Sequence, residues 1–312
     1  MKIAEALPDL IGNTPLLRLN NFSRLQQLKT PLVTKLEYFN PQGSVKDRLG
    51  YALIKDAEER GLITKDTTII ESTSGNTGVG LASVAAARGY RLIITMPDNL
   101  SEERVSLLKA LGAEVVLTPA SGGMKAAIAK AEELVEQTTD AYMPHQFKNP
   151  ANTDIHRSTT AEEIWRDTEG QVDIFVAGIG TGGTITGIGE VLKARKSSVQ
   201  VIGVEPCDSP VLSQGSEPRP HQLQGIGIST GFIPHTLNIK ILDEIILVKT
   251  EEAYRAARQV ARSEGILVGI SSGAAIHAAT QAALRPENQD KLIVVLAPDT
   301  GWRYLSTPLY RE

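Results

Sequence analysis

Short β-branched runs that stay apolar along nearly their whole length constrain this chain more than any other feature. The run Asp173-Ile174-Phe175-Val176-Ala177 is typical, and residues 199–205 and 292–297 read the same way. Strands of this kind have no face to give to water, so both sides of their sheet must be covered, as in parallel sheets. Further strands are expected at residues 32–37, 68–71, 91–96, 114–117 and 244–248. Helix-length segments alternate with them, at residues 46–60, 76–88, 101–111, 123–137, 184–195, 251–263 and 273–284. That alternation predicts an α/β fold with right-handed crossovers. At ~150 residues per domain, 312 residues suggest two domains, and no linker separates them. Two interleaved domains are therefore expected. Residues 207–240 are the long exception, rich in Gly, Pro, Ser and His, and a stretch of that size points to function.

Composition removes several function classes. Lysine and arginine number 32 against 36 acidic residues, a formal net charge of −4, and no basic stripe interleaved with aromatics is present. Nucleic acid is not an expected partner. The lone Cys207 excludes a disulfide or a cysteine-held metal cluster within the chain. The five histidines show no ligand spacing, so no metal is expected. No apolar run approaches the ~18 residues that would span a bilayer, and no leader is visible after Met1, so a cytoplasmic protein is expected.

Four clusters of small and hydroxyl residues fall at strand-to-helix junctions, where an open α/β sheet places its ligands. The first is Gly178-Ile179-Gly180-Thr181-Gly182-Gly183-Thr184. It satisfies G-x-G-x-x-G, with Glu205 ending the next strand, and so admits a dinucleotide site and an NAD-dependent dehydrogenase. It equally admits a phosphate cup, because residues 180–184 offer backbone N–H groups, two hydroxyls and a helix start to one phosphate monoester. The second, Thr73-Ser74-Gly75-Asn76-Thr77-Gly78, suits a carboxylate. In the third, Asn40 to Arg48, Ser44 is a candidate helix cap that sets Lys46 in the first turn. The helix dipole is positive there, so the pKa of that amine is expected to fall, toward the neutral form a Schiff base needs. The fourth is Gly269-Ile270-Ser271-Ser272-Gly273, also at a helix start. Each cluster also has a plainer reading as a cap or tight turn. Ser106-Leu107-Leu108-Lys109 matches an acyl-enzyme pattern, but it lies mid-helix without companion motifs.

Taken together, these motifs resemble the pyridoxal-phosphate-dependent cysteine synthases (O-acetylserine sulfhydrylases) of the fold type II group. The similarity runs from Leu10-Ile11-Gly12-Asn13-Thr14-Pro15-Leu16 to Arg303-Tyr304-Leu305-Ser306-Thr307. It implies two interleaved open twisted parallel-sheet domains with helices on both faces and pyridoxal 5′-phosphate in the cleft between them. Residues 45–150 would be the smaller, mobile domain. Residues 1–44 and 151–312 would anchor the cofactor. By the same resemblance, Lys46 carries the cofactor as a Schiff base and shuttles the α-proton. Gly180, Thr181, Gly182, Gly183 and Thr184 hold the phosphate, and Asn76 meets the ring oxygen. Ser271 meets the ring nitrogen, with Ser272 a near alternative. Thr73, Ser74, Asn76, Thr77 and Gln146 grip the substrate carboxylate, and Gly227 borders the substrate.

A hydroxyl at the ring nitrogen leaves the pyridine unprotonated, which favours β-elimination over transamination. The reaction implied is ping-pong β-replacement through an aminoacrylate, O-acetylserine and sulfide giving cysteine and acetate. The close alternative is a cystathionine β-synthase type of replacement with homocysteine. A homodimer and a complex with serine acetyltransferase are implied as well. The chain departs from the family pattern at Gln42-Gly43, at Ser72 where proline is usual, and in a longer stretch from Gln224 to Pro234.

Overall fold

The computed structural model describes residues 3–73, 75–98, 102–228 and 230–311. Its strands are β1 (Leu16–Arg18), β2 (Val33–Leu36), β3 (Thr68–Ser72), β4 (Arg91–Pro97), β5 (Glu114–Thr118), β6 (Ala141–Tyr142), β7 (Ile174–Gly178), β8 (Gln200–Pro206), β9 (Glu244–Val248) and β10 (Ile293–Ala297). The helices are α1 (Asn20–Leu25), α2 (Lys46–Glu59), α3 (Asn76–Arg88), α4 (Glu102–Ala110), α5 (Gly123–Gln137), α6 (Ala151–Ile155), α7 (Ala161–Asp167), α8 (Gly183–Arg195), α9 (Val211–Gln214), α10 (Thr250–Glu264) and α11 (Ile270–Ala283). No helix among the described residues is long and apolar enough to cross a membrane.

Two compact units divide the chain. One comprises residues 40–152 with the N-terminal segment through Ile11, and the other comprises 12–39 with everything from Thr153 onward. The N-terminal segment keeps to the first unit, not the second, because its turn Leu7–Leu10 packs on α3. The first unit holds a sheet of order β5-β4-β3-β6, and the second a sheet of order β1-β2-β10-β7-β8-β9. Neighbouring strands run parallel, except β1 against β2.

The apolar runs behave as strands covered on both faces must. In β7, Ile174 and Val176 join a core with α10 and α11, while Phe175 and Ala177 join a second core with α7 and α8. In the first unit, α2 and α3 cross so closely at Gly50 and Gly80 that a Cβ on Gly50 would come within 2.6 Å of the Gly80 carbonyl oxygen. Side chains at that crossing would force the two helices apart.

Several elements depart from the sequence reading. Strands β1 and β6 are too short to show a period. The run from α6 through a π-helical turn (His156–Thr160) into α7 is rich in Asn, Thr and Ser, which favour caps and turns. Burial of Asn152, Thr153, His156 and Thr160 overrides that preference. Helix α11 begins at Ile270, so Ser271 and Ser272 lie within its first turn and not in a turn before it.

Candidate active site

In the first unit, Lys46 is the first residue of α2. Ser44 stands one position further out than a side-chain cap would, and its Oγ accepts from the Lys46 N–H at 3.2 Å. Asp47 tightens the same turn. Its carboxylate accepts from the Gln42 N–H at 2.5 Å and from Ser44 Oγ at 3.3 Å. On the far side α3 closes in, because a Cβ on Gly80 would overlap the Lys46 carbonyl. Lys46 is thus set against α3 by a glycine. Burial of its amine lowers the pKa from 10.5 to about 8. Desolvation achieves what the sequence reading assigned to the helix dipole.

Between β3 and α3 lie Thr73, Ser74 and Gly75, of which Ser74 falls outside the described residues. Helix α3 opens without a side-chain cap, leaving its N-terminus suited to an anion. Thr73 Oγ1 accepts from the Gly75 N–H at 3.2 Å. Thr77 Oγ1 donates to Gln146 Oε1 at 2.9 Å, and Gln146 Nε2 donates to the Ser72 carbonyl at 2.8 Å. The expected carboxylate residues Thr73, Thr77 and Gln146 are therefore one buried assembly. Asn76 stands beside Thr77 as the first residue of α3.

Sequence reasoning passed over Glu71, which underlies this assembly. It is 1 % exposed, and burial raises its pKa from 4.5 to about 7. A glutamate directly after the apolar pair Ile69-Ile70, within a strand, was the available signal.

In the second unit the glycine loop runs from β7 to α8. A Cβ on Gly178 would overlap Ile226, and one on Gly180 would sit 3.0 Å from the Gly225 carbonyl oxygen. Gly182 has φ +84°, which L side chains avoid, and a Cβ there would also meet Leu237, whose Cα would be 2.8 Å away. Thr236 Oγ1 donates to the Thr181 carbonyl at 2.6 Å, and Thr181 Oγ1 accepts from the Gly183 N–H at 3.4 Å. Thr184 Oγ1 lies 3.1 Å from His156 Nε2, and His156 Nδ1 lies 2.9 Å from Thr160 Oγ1. His156, read from the sequence only as lacking metal-ligand spacing, braces Thr184.

The donor set at residues 180–184 is backbone N–H and hydroxyl at the start of a 13-residue helix, which fits a phosphate monoester. Gly225 links this loop to α11, since a Cβ on Gly225 would lie 3.4 Å from Ser271 Oγ. Ser271 thus borders the same loop that Gly180 borders. Ser272 Oγ is buried without a hydrogen-bond partner. Gly227, at φ +94°, donates its N–H to the Ile179 carbonyl at 2.7 Å, which ties the stretch after Gln224 to the glycine loop. Ser229 of that stretch lies outside the described residues.

The dinucleotide reading fails on Glu205. A ribose-binding carboxylate must be available, but Glu205 accepts from the N–H groups of Leu212 and Ser213 at 2.7 and 3.1 Å and from Ser213 Oγ at 2.9 Å. It is buried as the anchor of α9.

Comparison with known proteins points the same way. The family described as pyridoxal-phosphate dependent enzyme matches residues 7–299. A cysteine synthase of Staphylococcus aureus is 50% identical over 310 residues, covering 99% of this chain and 98% of that protein. The crystal structure of a cysteine synthase (OASS) from Entamoeba histolytica matches with a TM-score of 0.94 and 44% identity, over 99% of this chain and 91% of that one. An O-acetylserine-dependent cystathionine β-synthase from Helicobacter pylori matches with a TM-score of 0.93 and 41% identity, over 100% of both chains.

Proposed function

The chain belongs to the pyridoxal-phosphate-dependent enzymes, and on that premise we propose that it makes cysteine and acetate from O-acetylserine and sulfide. The observation that carries the reading is Lys46, an amine with its pKa drawn to about 8 at the start of α2, in the same unit as the carboxylate assembly.

Pyridoxal phosphate, when bound, supplies an electron sink for the substrate's α-carbon. Lys46 would hold it covalently, the N–H and hydroxyl groups of residues 180–184 would hold its phosphate, Asn76 would meet its ring oxygen and Ser271 its ring nitrogen. Ser271 is preferred over Ser272 because it borders the Gly225 loop. A serine there is neutral and cannot hold a proton on that nitrogen as a carboxylate would, which favours loss of a β-substituent. Lys46 Nζ, as a neutral amine, would be the base that takes the substrate's α-proton. At pH 8 about half of this amine is neutral, against well under ~1% for an ordinary lysine. Thr73, Asn76 and Thr77 bind the substrate carboxylate at the start of α3 and fix the α-carbon relative to Lys46. The resemblance also supports a cytoplasmic homodimer that binds serine acetyltransferase.

The deciding experiment is product analysis with O-acetylserine, O-phosphoserine and serine, each against sulfide and homocysteine. Cysteine from O-acetylserine as the fastest reaction upholds the proposal. Preference for homocysteine places the enzyme with the cystathionine-forming relative, and a colourless protein that binds NAD overturns both.

A further inference from the structure

Glu71 is a buried carboxylate with no part in the reaction just described, yet its hydrogen bonds run to Ser72 and to the His145-Gln146 turn, on either side of the carboxylate assembly. Its Oε1 accepts from the Ser72 N–H at 2.9 Å, and its Oε2 accepts from the Gln146 N–H at 3.1 Å. Ser72 opens the loop to Thr73. Gln146 sits in the turn after β6, next to His145 at φ +58°. The side chain of Gln146 then returns to the loop, donating to the Ser72 carbonyl and accepting from Thr77 Oγ1. Glu71, Ser72 and Gln146 thus form a closed ring of hydrogen bonds from which Thr77 branches at Gln146 Oε1, and all four side chains are buried. Both carboxylate oxygens are used, one on each segment, so no single-acceptor group of the same size can replace them.

A buried carboxylate is an expensive way to close a turn, because desolvation opposes its charge. That opposition is visible in its pKa, raised to about 7. An aliphatic residue or a glutamine would fill the same volume without this penalty. What the carboxylate adds is two acceptor oxygens in fixed geometry, clamping two separate segments: one continues from Ser72 into Thr73, and the other carries Gln146, whose side chain meets Thr77.

We infer that Glu71 is a positioning residue for recognition of the substrate carboxylate: it holds the Gln146 turn against Ser72, the residue before Thr73, and through the Gln146 side chain it aims Thr77. The inference rests on the proposed reading that these residues bind the carboxylate of an amino-acid substrate. It differs from that reading in naming a residue that never touches the substrate. Its signature is a loss of discrimination for the carboxylate group and not a general loss of activity.

The test uses the pyridoxal-phosphate-loaded enzyme and two probes, L-serine and L-serinamide, the second lacking the free carboxylate. Binding of each is followed by the change in visible absorbance. Wild type should favour L-serine. In Glu71→Gln that preference should fall by ~10-fold, as loss of a charge-assisted contact geometry implies, with cofactor content unchanged. Glu71→Asp keeps the charge but draws the carboxylate back by one methylene. It should show the same loss, and it serves if the glutamine variant does not fold. Adding Glu71→Gln to Gln146→Ala should cost little more than Gln146→Ala alone, because the two act in one chain. A general structural role would weaken both probes equally and add to Gln146→Ala. Folded variants that keep the wild-type preference overturn the role of Glu71 and leave the carboxylate reading standing. A wild type with no preference between the probes overturns the carboxylate reading itself, and this inference with it.

Discussion

The two ligand-facing loops begin alike, each at a strand end and each opening a helix, but they are held by different physics. The loop from β3 to α3 is fixed by side chains: Glu71 and Gln146 in a ring with Ser72, Thr77 bonded to Gln146, and Lys46 on α2 packed against α3. Two of those groups have displaced pKa values. The loop from β7 to α8 is fixed by the lack of side chains, with Gly178, Gly180 and Gly182 pressed against neighbouring backbone and apolar groups. Its polar contacts are hydroxyls, backbone and one histidine. A loop tied by titratable side chains answers to pH and to small changes in hydrogen bonding. A loop tied by glycine packing answers to added volume. Proton transfer and substrate discrimination suit the first kind, and a permanent phosphate anchor suits the second.

The contrast makes distinct claims that experiments can break. The largest effect is expected for Lys46→Ala, with turnover down by ~10³-fold or more, because both covalent attachment and proton transfer are removed. The glycine loop is untouched, so the variant should still bind pyridoxal phosphate, without the yellow band that borohydride removes from the wild type. Retained turnover would end the assignment of Lys46.

Next comes added volume. Gly182→Ala forces a Cβ onto a φ of +84° and into Leu237, and should destabilise by about 1–3 kcal/mol and weaken cofactor affinity. Gly75→Ala, in the other loop, meets nothing among the described residues nearer than the Arg104 side chain at 3.9 Å, and as the N-cap of α3 it should cost no more than about 1 kcal/mol. Equal losses of melting temperature in the two would dissolve the distinction. Thr184→Val should cost ~10-fold in cofactor affinity, measured by equilibrium absorbance, since it removes a hydroxyl from the cup together with its contact to His156 Nε2.

The subtlest expectation concerns pH, read on the cofactor-free protein. Glu71 holds its proton to about 7 when folded and to 4.5 ordinarily, so between those values the folded state binds more protons and stability falls as pH rises. Lys46 has the opposite sign. Folded, it loses its proton near 8 instead of 10.5, so stability rises with pH across that window. Urea unfolding from pH 4 to 11 should show the falling arm flattened in Glu71→Gln and the rising arm flattened in Lys46→Ala. Gly182→Ala should lower the whole curve without changing either slope. A slope altered by the glycine variant would show that the two loops do not divide their labour in this way.

The sequence by itself determined the class of fold and pointed to the strand ends where ligands are expected. Continuous apolar runs such as residues 173–177 require two-sided burial, and Ile174 and Phe175 indeed enter different cores. Small-residue clusters at strand ends located both loops, because backbone approach to a ligand demands glycine and hydroxyl residues whatever the surroundings. Spacing left a phosphate cup and a dinucleotide turn both open, since G-x-G-x-x-G is common to both; the resemblance favoured the cup, and the tertiary structure added the physical reason, Glu205 being spent on α9. Only the tertiary structure disclosed Glu71 beneath the carboxylate loop and His156 behind Thr184. Their partners are 75 and 28 residues away in the chain, and no local pattern records a hydrogen bond over such a distance. Periodicity and turn chemistry are properties of neighbours in sequence. Burial, and the pKa shifts at Lys46 and Glu71 that follow from it, belong to whatever the fold brings alongside.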